Sequence, residues 1–291
     1  MLSVRGLRFS YDDKPVLDGV DFDAEPNTIT SILGPNGTGK TTLLKCLCNL
    51  HRPQEGSITI DGKDILSMPG REVAKYIGFV PQSSVPTRNT VFDTALIGRK
   101  PHMDWGMSKR DHEITWEILR ALKLDDLALR RANEISGGEF QKVQIARAII
   151  QEPSVLILDE PSNNLDISNQ HRTMHTIMDF VRARGMCTIM TMHDINLAVH
   201  YSDKFLFMKD GKVADYGGIE IITEELIEKV YGIESEVIYH KGVPLVVPRF
   251  SSKYKHEHVH GEEHDHHEHD IHDHLVAGDE RDWESGKDPF E

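Results

Sequence analysis

Gly34-Pro35-Asn36-Gly37-Thr38-Gly39-Lys40-Thr41-Thr42 satisfies every constrained position of the pattern G-x-x-x-x-G-K-[ST], and its neighbours supply the context that pattern requires. The apolar run 28–33 reads as a strand entering the loop, and 42–47 reads as the helix leaving it. Glycines at 34, 37 and 39 let the backbone turn with its N–H groups pointing inward. Together with the N-terminus of the following helix they form a concave anion site. From there Lys40 can reach the β- and γ-phosphates of a nucleoside triphosphate, and the Thr41 hydroxyl can ligate Mg²⁺.

Composition bounds the rest. With 291 residues, 38% of them hydrophobic, the chain suits one large domain or two small ones. No run approaches the roughly 18–20 consecutive apolar residues of a membrane helix, and Met1-Leu2-Ser3-Val4-Arg5 is not the start of an apolar signal segment. A cytoplasmic protein is expected, with any membrane role exercised through a partner. Cys46, Cys48 and Cys187 lie within apolar runs and read as reduced, buried thiols; Cys46-x-Cys48 lacks the second pair a zinc site needs. The formal charge of −14 argues against a nucleic-acid footprint, which is normally basic. Much of it belongs to residues 251–291, with thirteen acidic residues against four basic ones.

Along the chain, residues 1–30 alternate apolar and polar positions, broken at Asp12-Asp13-Lys14-Pro15, and predict short antiparallel strands along one edge of the domain. Strands are expected at 55–60, ending in the turn Asp61-Gly62, and at 77–81. Residues 90–132 carry Ile114, Ile118, Leu119, Leu122 and Leu124 at helical spacing and no β-rich run, as in a helical insertion. Strands resume at 155–159 and 187–191, both continuously apolar as at the centre of a parallel sheet. Hairpins are expected around Asp210-Gly211 and Lys241-Gly242, with a helix at 223–231 between them. From Ser251 onward few apolar residues remain, and no fixed structure is assigned.

Two acids, Asp159 and Glu160, close the strand at 155–159. In nucleotidases with a phosphate loop, the first such carboxylate helps hold Mg²⁺; the second is placed to polarise water against the γ-phosphate, which makes Glu160 the candidate base. Ile135-Ser136-Gly137-Gly138-Glu139 precedes a helix predicted over 140–151 and resembles the signature of the ATP-binding-cassette (ABC) family. That family usually carries Gln where Glu139 stands. The resemblance implies that Ser136, Gly137 and Gly138 of one copy close over ATP held by the phosphate loop of another, in a head-to-tail dimer.

Further positions match the same family in order. Gln82 matches the glutamine that meets Mg²⁺ and the attacking water and lies near the transport partner. His193 matches the switch histidine on the γ-phosphate, Asp166 the residue coupling one active site to the other, and Tyr11 the aromatic that stacks on adenine. The resemblance covers residues 1 to about 248. It implies an α/β fold: a P-loop ABC cassette with an antiparallel edge sheet, a helical subdomain at about 90–152 and a C-terminal extension at about 219–250; the composition beyond it adds a disordered tail at 251–291. It further implies ATP hydrolysis powering transport from the cytoplasmic face of a membrane, through an integral permease and, indirectly, an exported substrate-binding protein.

Thr90-Val91-Phe92-Asp93, Gly98-Arg99-Lys100-Pro101-His102, the stretch His193-Asp194-Ile195-Asn196-Leu197-Ala198 and the ending Pro244-Leu245-Val246-Val247-Pro248 resemble ATPases of iron-siderophore, haem and cobalamin importers. Zinc, manganese, molybdate and tungstate importers have similar ATPases. A soluble cassette of DNA repair or translation is the competing class; those proteins carry two cassettes or long heptad arms, and neither is found here. A metal-binding protein with a vestigial nucleotide fold is disfavoured because no catalytic position is missing. In the tail, nine histidines from His256 to His274 interleave with Asp and Glu. Imidazole with carboxylate suits Zn²⁺, Ni²⁺, Co²⁺ or Cu²⁺ and, less tightly, iron; a solvated acidic tail and a pH-responsive one fit the same composition.

Overall fold

The computed structural model describes residues 1–249 except 104, 105 and 164. The acidic, histidine-rich segment 251–291 lies outside the described residues, as does Asn164 of the stretch between Pro161 and Asp166.

Two sheets share a core. The first is wholly antiparallel, with β1 (Leu2–Tyr11) between β2 (Lys14–Ala24) and β4 (Glu55–Ile60), and β5 (Lys63–Asp64) at its end. Its buried side chains change parity along β1: Leu2 and Val4 point inward, then Leu7 and Phe9. The switch coincides with register shifts between Val4 and Leu7 against β2 and between Arg5 and Arg8 against β4, around Gly6, which takes φ +56°. Such a bulge lets one strand keep two apolar pairs on one face despite the extra residue between them.

The second sheet has the order β10-β9-β3-β8-β7-β6, formed by β3 (Ile29–Leu33), β6 (Ile77–Val80), β7 (Val155–Asp159), β8 (Cys187–Thr191), β9 (Lys204–Lys209) and β10 (Lys212–Gly217). All neighbours are parallel except β9 and β10. Every residue of β3, β7 and β8 is buried, which is why these strands read as unbroken apolar runs. Their side chains divide between two cores. Ile32, Ile157, Ile189 and Leu206 face the first sheet, α1 (Lys40–Leu47) and the short helix Gly70–Tyr76; Leu33, Leu156, Leu158, Phe205 and Phe207 face the other helices. The antiparallel sheet therefore packs against a face of the parallel one.

The second core is closed by α5 (Gly137–Ile150), α6 (Ile167–Arg184) and α7 (Ile195–Tyr201), with α3 (Val91–Leu96) and α4 (Lys109–Ala121) alongside. A short helix, α2 (Gly70–Tyr76), precedes β6. Between 90 and 132 the described residues form helices and turns, with an isolated bridge from Thr90 to Arg131. The stretch 98–102 acts here as an internal joint. A Cβ on Gly98 would stand 2.1 Å from the Arg147 carbonyl oxygen. Arg99 is buried and donates to Asp111 at 2.8 Å, to the Ile150 carbonyl at 2.9 Å and to Glu152 at 2.7 Å. Asp111 lies in the first turn of α4, where it forms a reciprocal capping box with the cap residue Ser108.

Beyond β10 come α8 (Glu224–Tyr231) and a hairpin of β11 (Ser235–His240) with β12 (Val243–Pro248). Cys46 and Cys187 are buried, and loss of solvent pushes both thiols up to about 12. No helix among the described residues is long and apolar enough to cross a membrane.

Candidate active site

The phosphate loop leaves the C-terminal end of β3, and glycine is required at its two ends. Gly34 has φ +146°, and a Cβ there would fall 2.3 Å from the Met208 carbonyl oxygen. Gly39 has φ +96°, with the Val16 carbonyl oxygen 2.8 Å from the corresponding point. Inside the loop Thr38 Oγ1 donates to the Pro35 carbonyl at 3.0 Å. Lys40 opens α1 and is buried; its Nζ donates to the carbonyls of Gly34 at 2.6 Å and Pro35 at 2.9 Å. Burial lowers the ammonium pKa, while Glu160 and Asp159 pull it back up. A desolvated cation held against carbonyl dipoles has strong reason to accept an anionic partner.

A cavity of about 490 Å³ opens over this loop, with Asn36, Gly37, Gly39, Lys40, Thr41 and Thr42 on one side and Gln82, Glu160, Asn163 and His193 on the other. The second group comes from segments beyond the C-terminal ends of three adjacent parallel strands, β6, β7 and β8. That end of an open α/β sheet is where ligands characteristically sit.

The two acids are oriented by one threonine. Thr191 ends β8 opposite Asp159, donates to Asp159 Oδ1 at 2.7 Å and accepts the Glu160 N–H at 2.9 Å. Glu160 leaves the strand with φ +51°, a left-handed turn that carries its side chain out of the sheet. There Oε2 accepts from Gln82 Nε2 at 2.6 Å and from Asn163 Nδ2 at 2.7 Å, while Oε1 meets His193 Nε2. Asp159 is buried and also accepts from Thr41 Oγ1 at 3.3 Å.

The signature residues stand elsewhere. Ser136 caps α5, and its hydroxyl and N–H both bond Glu139 at 2.8 Å, completing a capping box with the Glu139 N–H. These donors hold the Glu139 carboxyl below its ordinary pKa. Ser136, Gly138, Glu139 and Asp166 line a separate cavity of about 380 Å³; Gly137 is the first residue of α5 beside them. Asp166 caps α6 through the Asn169 N–H at 2.8 Å, and the same residue's bonds lower its pKa. Tyr11 does not line the phosphate-loop cavity: its hydroxyl lies 2.8 Å from His51 Nε2, in a cluster with Phe9.

Thr191 and Asn163 have no counterpart among the residues singled out from the sequence. The position of Thr191 at the end of a strand beside Asp159 could have flagged it. Asn163 gives no local signal apart from lying three residues after Glu160. As a donor set for a divalent cation, Thr41 and Asp159 offer neighbouring hydroxyl and carboxylate oxygens, the hard ligands Mg²⁺ takes.

Loop, lysine and strand-end acids define a P-loop nucleoside triphosphatase. Residues 17–163 match the family model described as ABC transporter, and the chain belongs to that family. It is 48% identical to an ABC transporter ATP-binding protein of Methanocaldococcus jannaschii, over 85% of this chain and 98% of the relative. It is 37% identical to the hemin import ATP-binding protein HmuV of Gloeobacter violaceus, over 85% of this chain and 94% of that one. A solved metal-chelate type ABC transporter in an inward-facing conformation superposes with a TM-score of 0.73 at 30% identity, covering 86% of this chain and 97% of the other. Such ATPases bind ATP, couple its hydrolysis to transport and pair as dimers.

Proposed function

We propose that this chain is the ATP-hydrolysing subunit of an importer for a metal chelate of the iron-siderophore, haem or cobalamin class. It would act on the cytoplasmic face of a membrane through an integral permease, fed by an exported substrate-binding protein. Residues 1–250 form the ATPase domain in this reading, with the helical subdomain at about 90–152, the C-terminal extension at about 219–250 and the segment 251–291 appended. The likeness to a hemin-import subunit and to a metal-chelate transporter supports the cargo class.

One observation carries the mechanism: the phosphate loop, Gln82, Glu160 and His193 share one cavity, whereas Ser136, Gly138 and Asp166 line another. A protomer thus presents two half-sites. A second copy placed head to tail would set its Ser136 hydroxyl and glycine N–H groups over the nucleotide held by the first, completing both sites at once. The loop N–H groups and Lys40 bind the phosphates. Thr41 and Asp159, with Gln82 nearby, would hold Mg²⁺, which when bound neutralises phosphate charge. Glu160 takes a proton from the attacking water, and His193 meets the γ-phosphate. Tyr11 is proposed to stack on adenine only after its ring leaves His51. Loss of the γ-phosphate removes the anion joining the two halves and allows them to separate.

Mixing two inactive chains tests the split site. Lys40→Ala and Ser136→Arg chains should each fail to hydrolyse ATP alone, and their mixture should regain activity through one intact composite site. A mixture as inactive as its parts would remove the shared-site reading.

A further inference from the structure

Two short stretches singled out in the sequence, 193–198 and 244–248, meet in the structure. Asn196 Nδ2 donates to the Val246 carbonyl at 3.1 Å, and Asn196 Oδ1 accepts the Val246 N–H at 2.8 Å. The pairing follows from strand geometry. Val246 stands opposite Val237 in the β11–β12 ladder, and the Val237 N–H goes to Glu224 Oε1 at 3.1 Å rather than across. This rung is therefore a non-hydrogen-bonded pair whose polar groups point away from the ladder. Residues 244 and 248 occupy rungs of the same kind, opposite Tyr239 and Ser235, and both are proline, which has no N–H to offer. On the β12 side of these three rungs Val246 carries the one N–H, and the Asn196 amide takes its N–H and C=O as a neighbouring strand would.

Asn196 belongs to the first turn of α7. Asp194 caps that turn by accepting the Leu197 N–H at 3.0 Å, and His193 precedes it with Nε2 on Glu160 Oε1. Val246 is buried in the same core as Ala198 and Val199 of α7. From the hairpin to the Glu160 carboxylate the path is one amide pair, one capped turn and one imidazole.

We infer that Asn196 is a positioning residue: it fastens the first turn of α7 to the C-terminal hairpin and so fixes His193 against Glu160, making the hairpin part of the hydrolytic apparatus. The inference rests on the ATPase reading of the site. Phosphate binding depends on the loop and Lys40, which other contacts hold, so loosening this fastening slows the hydrolytic step and spares nucleotide binding.

Asn196→Leu in the full chain is expected to lower kcat by about tenfold with KM for ATP within about twofold, and to speed hydrogen exchange at 193–197 but not at 34–42. In a His193→Ala background it should cause no further loss, because both changes then remove the same arrangement. Val246→Pro, which deletes only an outward N–H from the ladder's hydrogen-bonding groups, should give the same pattern and serves if the Leu variant fails to fold. A folded Asn196→Leu chain with wild-type kcat and exchange overturns the inference, as does a loss additive with His193→Ala. If the wild-type chain hydrolyses no ATP, the functional reading falls, while exchange at 193–197 still decides whether the fastening exists.

Discussion

Gln82 and Asn163 donate to the same oxygen of Glu160, at 2.6 and 2.7 Å, one from the segment after β6 and the other from three residues further along the loop of Glu160 itself. With His193 on the other oxygen, the carboxylate is held in one orientation in the lining of the cavity. Glu160→Gln keeps the shape and removes the proton acceptor. It should cut phosphate release by about 10²–10⁴-fold while nucleotide titration shows binding retained. Full turnover in that variant would show that Glu160 is not the base.

Gly98 has no room for a methyl group. Because the clash at 2.1 Å is with a backbone oxygen of α5, Gly98→Ala must shift the turn Ile97–His102 from α5 and should cost roughly 1–3 kcal/mol. Thermal melting should register a drop of about 2–4 °C per kcal/mol. Nucleotide affinity, set at the opposite end of the parallel strands, should stay the same in a titration below the melting range.

Asp111 links stability to acid. Bonds from Ser108 and Arg99 overcome desolvation and hold its carboxyl down at about 2, against an ordinary 3.8. A carboxyl depressed by folding stabilises the native state fully above its unfolded value, and the contribution is lost as pH falls through the folded one. Asp111→Asn should cost about 3 kcal/mol at neutral pH, as for other broken buried pairs. Melting curves should show the gap from wild type narrowing between pH 4 and 2; a constant gap would mean that the ion pair contributes nothing.

Glu139 departs from the glutamine usual in the family, yet its work in the structure is to bond Ser136 and accept at the start of α5. Glutamine serves the same reciprocal cap. Glu139→Gln should therefore leave melting within about 0.5 kcal/mol and hydrolysis near wild type, whereas Glu139→Ala should lose about 1 kcal/mol.

Much of this architecture was legible in the sequence because burial on both faces writes itself as an unbroken apolar run: the strands expected at 155–159 and 187–191 match β7 and β8 residue for residue. Amphipathic α6 was harder to see. Its buried positions, Thr173, Met174, Ile177 and Val181, are few among eighteen residues, and its ends are marked only by Asp166 and Gly185. The site was legible where a motif is local, as at 34–42, and illegible where contacts depend on pairing between strands. Thr191 reaches both acids because β8 lies beside β7, a neighbour relation the chain order does not state. Gly98-Arg99 carried a family resemblance in the sequence, but its physical reason, a joint between helices, needed the fold.

The prolines flanking Val246 have a wider consequence. An exposed strand margin normally invites another chain to zip onto it, and crowding raises that hazard. Here two of three outward positions offer no N–H and the third is occupied from within, so this border of β12 gives an incoming strand no free donor at these positions and disfavours cross-molecular sheet growth.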